Sequence, residues 1–297
     1  MIKVVITGSQ GQVGRALVRL FEQQATIQLY AYNRAELDIT DQQQLDRVFD
    51  QVRPDIVINA AAYTAVDKAE NDLEACNAVN HHAVKYLALA AQRHQALLIH
   101  ISTDYVYDGT KAEPYLESDR PNPQSIYGLS KLAGEQAIQA CCNNYMIIRT
   151  AWVFAEQGSN FVRTMLKLAK TRSELSIVGD QYGGPTYAGD LAQALVSIVC
   201  SYIQTGNCQS GIYHYSGLPH TSWYGFAEAI FNKAQQQGVL EKRPVIHAIT
   251  TQQYPTPAKR PANSRLDGSL IERQFSVTPS DWQQALNNLS MYLNEDY

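Results

Sequence analysis

A tyrosine and a lysine four residues apart open a helical pattern in the run Tyr127-Gly-Leu-Ser-Lys131. On a helix that spacing puts both side chains on one face, about one turn apart. A phenol with an ordinary pKa of ~10 is a poor proton donor or acceptor at neutral pH. An ammonium beside it favours the phenolate and moves the group toward acid/base chemistry. The same pattern also describes a solvated helix face, so its meaning depends on the elements that carry and surround it.

The first of those elements is a β-branched run at residues 2–6, short enough to read as a buried parallel strand. It leads into a loop with glycines at Gly8, Gly11 and Gly14, and then into an amphipathic segment reaching about Gln24. Strand, glycine loop and helix in that order make a phosphate cradle. Gly8 allows a tight turn, Gly11 lets backbone approach a pyrophosphate, and Gly14 permits close helix–strand packing. The helix N-terminus presents its unpaired N–H groups to the phosphates. A plain glycine turn is the bland alternative.

A second strand over 27–32 ends in Asn33-Arg34. Nicotinamide-binding folds place an acidic residue here to hold the adenosine ribose. This chain has none at that point; Glu36 and Asp38 come later. Arg34 is suited to a 2′-phosphate, which favours NADPH, with NADH as the alternative. Asp38 and Ile39 lead into a helix at 41–52 and are placed to reach an adenine edge. A third strand at 56–59 runs into Ala60-Ala61-Ala62-Tyr63-Thr64, where small residues let a flat ligand lie against backbone. After helices at 67–74 and 77–94, a fourth strand at 97–101 ends in Ser102-Thr103-Asp104. The helix with Tyr127 and Lys131 follows, then a strand at 145–149 ending in Thr150-Ala-Trp152.

Strands alternating with helices in this way predict an α/β fold: a Rossmann-type doubly wound parallel sheet with right-handed crossovers. We place a nucleotide-binding domain at 1–154 and a smaller C-terminal substrate-binding portion at 155–297, partly returning to the main sheet. Helices are expected at about 160–171, 190–203, 223–237 and 280–293. The stretch from Gln253 to Arg265, with Pro255, Pro257 and Pro261, reads as something other than a sheet strand. In open α/β sheets ligands bind at the strands' carboxyl ends. That rim collects the glycine loop, Ala60–Thr64, Thr103 and Trp152, with Tyr127 entering over the same crevice.

Composition narrows the partners. The 297 residues are 45% hydrophobic and 18% charged, with a formal net charge of −4, ordinary for a globular protein. That balance argues against nucleic acid or a polybasic membrane surface. No apolar run approaches the ~20 residues of a membrane span, and no signal-peptide pattern opens the chain, so a cytoplasmic protein is expected. Five cysteines, Cys76, Cys141, Cys142, Cys200 and Cys208, form no C-x-x-C pair and read as structural thiols. Adjacent His81 and His82 diverge by about 100° on a helix. No metal held by protein ligands is expected.

The combined motifs carry a family resemblance. Gly8/Gly11/Gly14, Asn59-Ala-Ala-Ala62, Ser102-Thr103 and Tyr127-x-x-x-Lys131 resemble the extended short-chain dehydrogenase/reductase superfamily. Longer pieces resemble the dTDP-4-dehydrorhamnose reductase family over essentially the whole chain: Gly11-Gln-Val-Gly14, Asn59 through Glu70, Ser102-Thr-Asp-Tyr-Val-Tyr107, and Tyr254 through Ser264. The resemblance implies reduction of the C4 ketone of dTDP-4-dehydro-L-rhamnose by a reduced nicotinamide, the last step of dTDP-rhamnose formation. It implies Tyr127 as proton donor, Lys131 as the residue that binds the nicotinamide ribose and lowers the tyrosine pKa, and Thr103 as the hydroxyl that orients the carbonyl. Asp104 and Trp152, with Thr103 and Tyr127, are implied substrate contacts. Gly8, Gln10, Gly11, Gln12 and Val13 are implied at the pyrophosphate. Asn33, Arg34, Asp38 and Ile39 fall on the adenosine side, and Ala60, Ala61, Ala62, Tyr63 and Thr64 on the nicotinamide side. A monomer or homodimer is expected. Competing readings are a nucleotide-sugar epimerase or epimerase–reductase, and a non-catalytic subunit resembling the regulatory subunit of methionine adenosyltransferase. None of the cysteines follows a strand end, as an epimerase acid/base would, and intact Thr103, Tyr127 and Lys131 argue against pure scaffolding.

Overall fold

The computed structural model describes residues 1–207 and 209–293, so Cys208 and the residues after 293 lie outside the described part. In chain order the first half runs β1 (Ile2–Thr7), α1 (Gln12–Phe21), β2 (Ile27–Tyr32), α2 (Gln42–Val52), β3 (Ile56–Asn59), α3 (Val66–Ala69), α4 (Leu73–Asn77), α5 (Ala83–Arg93), β4 (Leu97–Thr103), α6 (Ile126–Cys141) and β5 (Tyr145–Thr150). A π-turn at Ala78–His82 joins α4 to α5. The second half adds β6 (Val153–Phe154), α7 (Phe161–Ala169), β7 (Glu174–Val178), β8 (Tyr182–Gly183), β9 (Thr186–Tyr187), α8 (Ala188–Thr205), β10 (Gly211–His214), β11 (Thr221–Ser222), α9 (Trp223–Gln236), β12 (Val245–Ile249), β13 (Asn263–Ser264), α10 (Ser269–Phe275) and α11 (Trp282–Ala285).

The main sheet has the order β2-β1-β3-β4-β5-β10, every neighbouring pair parallel. Its strands are near-continuous apolar runs because both faces are covered. Val4, Ile6, Ile58, Ile99 and Ile148 point to one face, where Leu17 and Phe21 of α1, Leu195 of α8 and Ile271 of α10 meet them. Val5, Val57, Leu98 and Ile147, one residue out of phase, meet Leu45 and Phe49 of α2, Leu87 of α5 and Ile138 of α6. Period-2 alternation therefore builds the α/β/α layers expected. Each such buried aliphatic or aromatic side chain contributes roughly 1.5–3 kcal/mol. Among the described residues no helix is long and apolar enough to cross a membrane.

A second core lies beyond the sheet, where Phe154, Leu166 of α7, Phe226 and Ile230 of α9 and Trp282 of α11 pack together. The C-terminal half is thus divided: α8, β10 and α10 complete the main layers, and the rest builds this second core. Two local expectations change, and one pairing was not anticipated. The proline-rich stretch does end in a strand, since Asn263 and Ser264 pair in parallel with Tyr182 and Gly183. Its prolines all precede that pair, so no ladder hydrogen bond is lost to them. β7 and β12 pair in parallel outside the main sheet. The helix expected at 280–293 is α only over Trp282–Ala285 and continues as 3₁₀ turns, broken at Asn288.

Helix α6 is positioned by charge as well as packing. Ser125 caps its start, accepting from the Gly128 N–H at 3.1 Å. Lower down, Glu135 is fully buried and takes a forked bond from Arg149 of β5, with Nε to Oε1 at 3.0 Å and a terminal nitrogen to Oε2 at 2.6 Å. Glu135→Ala strands a buried guanidinium. We expect a stability loss of ~3–5 kcal/mol, read from the denaturant midpoint. A loss below ~1 kcal/mol, ordinary for an exposed pair, would contradict this account.

Candidate active site

The chain leaves β1 for β2 on one side and returns to β3 on the other, so the strand order reverses between β1 and β3. A crevice opens there at the carboxyl ends. Gly8 turns the chain out of β1 with φ 74°, and a Cβ on it would come within 2.6 Å of the Ala61 backbone nitrogen. A Cβ on Gly14 would overlap the Gly8 carbonyl oxygen. Helix α1 begins at Gln12 behind Gly11, with no side chain capping its first N–H groups. That uncapped end is free to hold an anion.

A cleft of about 350 Å³ continues from this loop. Of the expected nucleotide contacts it gathers Gly8, Gln10, Gly11, Asn33, Arg34, Asp38, Ile39, Ala60, Ala61, Ala62 and Tyr63. Asn33 shapes the rim: its Oδ1 accepts from the N–H groups of Ala35 and Glu36 at 2.8 and 3.2 Å. The Glu36 carboxylate folds back onto the Asn33 N–H at 2.9 Å, so it serves its own turn. Asp38 accepts from the Thr40 N–H and hydroxyl. Arg34 stays 85% exposed at the rim, 3.8 Å from Asp38. The residues fit an adenosine with a 2′-phosphate better than one with a bare ribose. Besides Tyr127 and Lys131, three expected contacts lie outside this cleft. Gln12 accepts from Asn160 Nδ2 at 3.0 Å, Val13 packs into the core beneath α1, and Thr64 is exposed.

Behind Tyr63, which lines the cleft and packs against the cluster that holds Tyr127, Tyr127 and Lys131 are both buried, one turn apart on α6. Tyr105 meets the Tyr127 ring edge-on at 5.5 Å between centroids. Burial pushes the Tyr127 phenol well above its ordinary range; the Thr103 hydroxyl beside it pulls the other way, and Asp104 adds to the rise. Burial also lowers Lys131, to about 8, against the opposing influence of Glu135 and Cys76. A phenol lowered by Lys131 was expected, and the shift runs in the other direction. Desolvation dominates, and the Lys131 Nζ is turned to β4, donating to the Ile101 carbonyl at 2.7 Å.

Thr103 ends β4 and its hydroxyl donates to Asp104 Oδ1 at 3.1 Å. Asp104 is fully buried, which raises its carboxyl to about 6, with Ser264 and Thr103 hydroxyls acting against that rise. Its Oδ2, like the Thr150 hydroxyl at the end of β5, has no hydrogen-bond partner among the described residues. Buried unpaired acceptors at a crevice are costly unless something binds them. Trp152 has φ 51° and stacks on Trp223 at 3.6 Å between centroids, so one face of its indole is covered.

Several site residues carried no readable signal. His100 stands between Asn59 Nδ2, 3.0 Å from its Nδ1, and Lys131 Nζ, 3.1 Å from its Nε2. Asn80, in the π-turn, holds both backbone groups of Tyr63 and donates to Ser130 Oγ, which in turn donates to the Tyr127 carbonyl. Arg260 leaves the proline-rich stretch to bond Asp67 at 2.7 Å and the Tyr105 hydroxyl at 3.2 Å. The one available clue was register: Thr7, Asn59 and His100 are polar residues aligned across three adjacent apolar strands. Among the described residues the cysteines are free, and no group of three metal-ligating side chains occurs.

Comparison with known proteins agrees with this geometry. A family model described as RmlD substrate binding domain matches residues 2–294. A dTDP-4-dehydrorhamnose reductase of Aggregatibacter actinomycetemcomitans is 47% identical over 292 residues, covering 98% of this chain and 99% of that protein. The crystal structure of a dTDP-4-dehydrorhamnose reductase from Clostridium acetobutylicum superposes with a TM-score of 0.89 at 36% identity, covering 97% of this chain and 98% of that one. One from Bacillus anthracis, in complex with NADP, gives 0.86 at 36% identity, covering 98% and 99%. With that reach and that agreement in both sequence and backbone, the chain belongs to the RmlD substrate-binding-domain family.

Proposed function

We propose that this protein is an NADPH-dependent oxidoreductase that reduces the C4 ketone of dTDP-4-dehydro-L-rhamnose, with Tyr127 giving the proton. The observation that carries the reading is a buried Tyr127, its phenol held above its ordinary range beside the Thr103 hydroxyl, behind the Tyr63 wall of a cleft whose residues fit a phosphorylated adenosine. The relatives named above act as dTDP-4-dehydrorhamnose reductases, and one binds NADP.

Gly8, Gly11 and the start of α1 would hold the cofactor's pyrophosphate, Arg34 its 2′-phosphate, and Ala60 to Ala62 the wall toward the nicotinamide. Reduced nicotinamide, when bound, supplies the hydride. Tyr127 then protonates the alkoxide that forms on the sugar. A phenol held above its ordinary pKa keeps its proton until a stronger base such as an alkoxide appears, which suits reduction. The Thr103 hydroxyl, once turned away from Asp104 Oδ1, offers a second donor to the same oxygen as charge develops. Asp104 Oδ2 accepts from a sugar hydroxyl, which ends its lack of a partner. Residues 155–297 serve as the substrate-binding portion through Trp223, Arg260 and Ser264, beside the edge of Trp152.

Three outcomes test this. Tyr127→Phe should lower kcat by ~100-fold or more, followed as loss of NADPH absorbance with dTDP-4-dehydro-L-rhamnose, because general acid catalysis is gone. Near-normal turnover removes Tyr127 from the role. Arg34→Ala should raise KM for NADPH by ~10-fold while leaving that for NADH nearly unchanged, as loss of one charge-assisted bond requires. Equal effects on both cofactors would take Arg34 off the 2′-phosphate. Asp104 has a raised pKa, so it loses acceptor capacity as pH falls through about 6. kcat/KM should therefore drop on the acid side of about 6, and Asp104→Asn should lack that limb.

A further inference from the structure

Helices α1 and α7 are joined at their N-termini, although α1 packs on the main sheet and α7 in the second core. Asn160 makes the junction. It caps α7, its Oδ1 accepting from the Arg163 backbone N–H at 3.1 Å. A backbone N–H can only donate, so the other end of this amide is the NH₂. That NH₂ donates to the Ala155 carbonyl at 2.7 Å and to Gln12 Oε1 at 3.0 Å. The carbonyls of Gln157 and Gly158 stand further off, at 3.4 Å. The same loop turns at Gly158 with φ 75°, where a Cβ would lie 3.1 Å from Gln12 Cγ.

These contacts decide which way Gln12 faces. Its oxygen is turned to Asn160, so its own NH₂ is the free end, without a hydrogen-bond partner among the described residues. Gln12 is the first residue of α1 and shares a hollow of about 420 Å³ with Ser9 and Gln10 of the glycine loop. Glu156 also lines that hollow, but its carboxylate takes the Tyr187 hydroxyl. The first N–H groups of α1 have no side-chain cap. Donors without acceptors therefore collect at the end of α1 that follows the glycine loop.

We propose that Asn160, a residue of the substrate-binding portion, is a positioning residue for the cofactor: it holds Gln12 so that α1 meets the pyrophosphate with the Gln12 NH₂ as well as its own N–H groups. Pyrophosphate is an anion and can only accept, so a Gln12 turned the other way meets it with a carbonyl oxygen. Asn160 prevents that turn because its NH₂ would then face the NH₂ of Gln12. NADPH and NADH share the pyrophosphate, so this device sets the affinity for both, whereas Arg34 separates them. Cofactor affinity is thereby tied to the second core, which carries α7 through Val162 and Leu166.

The inference rests on the cofactor site of the proposed function, and its test reads binding without turnover. The full-length protein is titrated with NADPH and with NADH, followed by nicotinamide fluorescence. Asn160→Ser keeps a hydroxyl to cap α7 but is too short to reach Gln12. Its Kd should rise by ~10-fold for both cofactors, with their ratio unchanged, as loss of a hydrogen bond to a charged group requires. Gln12→Met should do the same, and adding Asn160→Ser to it should cost no more than a further ~2-fold, because the two act as one unit. A residue that merely caps α7 would leave cofactor affinity alone once serine takes its place. An unchanged Kd in folded Asn160→Ser, losses that multiply in the double variant, or a loss confined to NADPH overturns the proposal. Should Asn160→Ser not fold, Asn160→Asp replaces it in the same cycle, since aspartate also caps and has no NH₂. Wild-type protein that binds neither cofactor would overturn the proposed function and this inference together. Wild-type binding that the variants leave intact would overturn this inference alone.

Discussion

A carboxylate and a guanidinium taken out of water together constrain everything near them. Glu135 and Arg149 are each 1% exposed, and neither charge is tolerable there without the other. The pair extends outward through groups that complete its hydrogen bonding. Ser102 donates to Glu135 Oε1, and Arg149 donates to the Tyr107 hydroxyl at 2.6 Å. That hydroxyl meets His214 Nε2 at 2.8 Å, and His214 Nδ1 faces the Tyr115 carbonyl. One buried network therefore joins β4, β5, β10 and α6. It fixes the axial position of α6, and with it the depth at which Tyr127 and Lys131 stand in the crevice.

Burial at the carboxyl edge has a second consequence. Apolar strands end in Thr7, Asn59, Thr103 and Thr150, so polar groups collect in one buried row where the sheet offers no further ladder partners. Some are paired within the protein, as Thr7, Asn59 and His100 are. Others, such as Asp104 Oδ2 and the Thr150 hydroxyl, have no partner among the described residues. The division separates groups paired within the frame from groups with no partner among the described residues. It also explains why acid/base properties here are set by desolvation more than by charge: Tyr127 and Asp104 rise and Lys131 falls, each away from its charged form.

The long elements were readable because their periodicity repeats. β2 and β3 occupy the residues expected, 27–32 and 56–59, and α6 runs Ile126–Cys141 where a helix to about 142 was read. Short pairings were not readable. β13 is two residues long, too few for any alternation to show, and it exists because β8 offers it a partner. β12 is partly exposed along its length, so it lacks an apolar run of its own. The end of the chain looked helical by composition, but Asn288 breaks it into 3₁₀ turns.

The site divides along the same line. Glycine spacing, small residues after β3, and a tyrosine–lysine pair at helical spacing are local properties, and the sequence alone was enough to propose a nucleotide site at the glycine loop and an acid on α6. Arg34 after β2, with no acidic residue beside it, was the local feature on which NADPH was expected. His100, Asn80 and Glu135 were not, because a lone polar residue in an apolar strand or helix gives no hint of its partner. Nor could spacing show which way Lys131 points, or that burial would raise the Tyr127 phenol. Those depend on which residues four strands and a helix bring within hydrogen-bonding distance, and on how much water they exclude, and only the folded chain sets either.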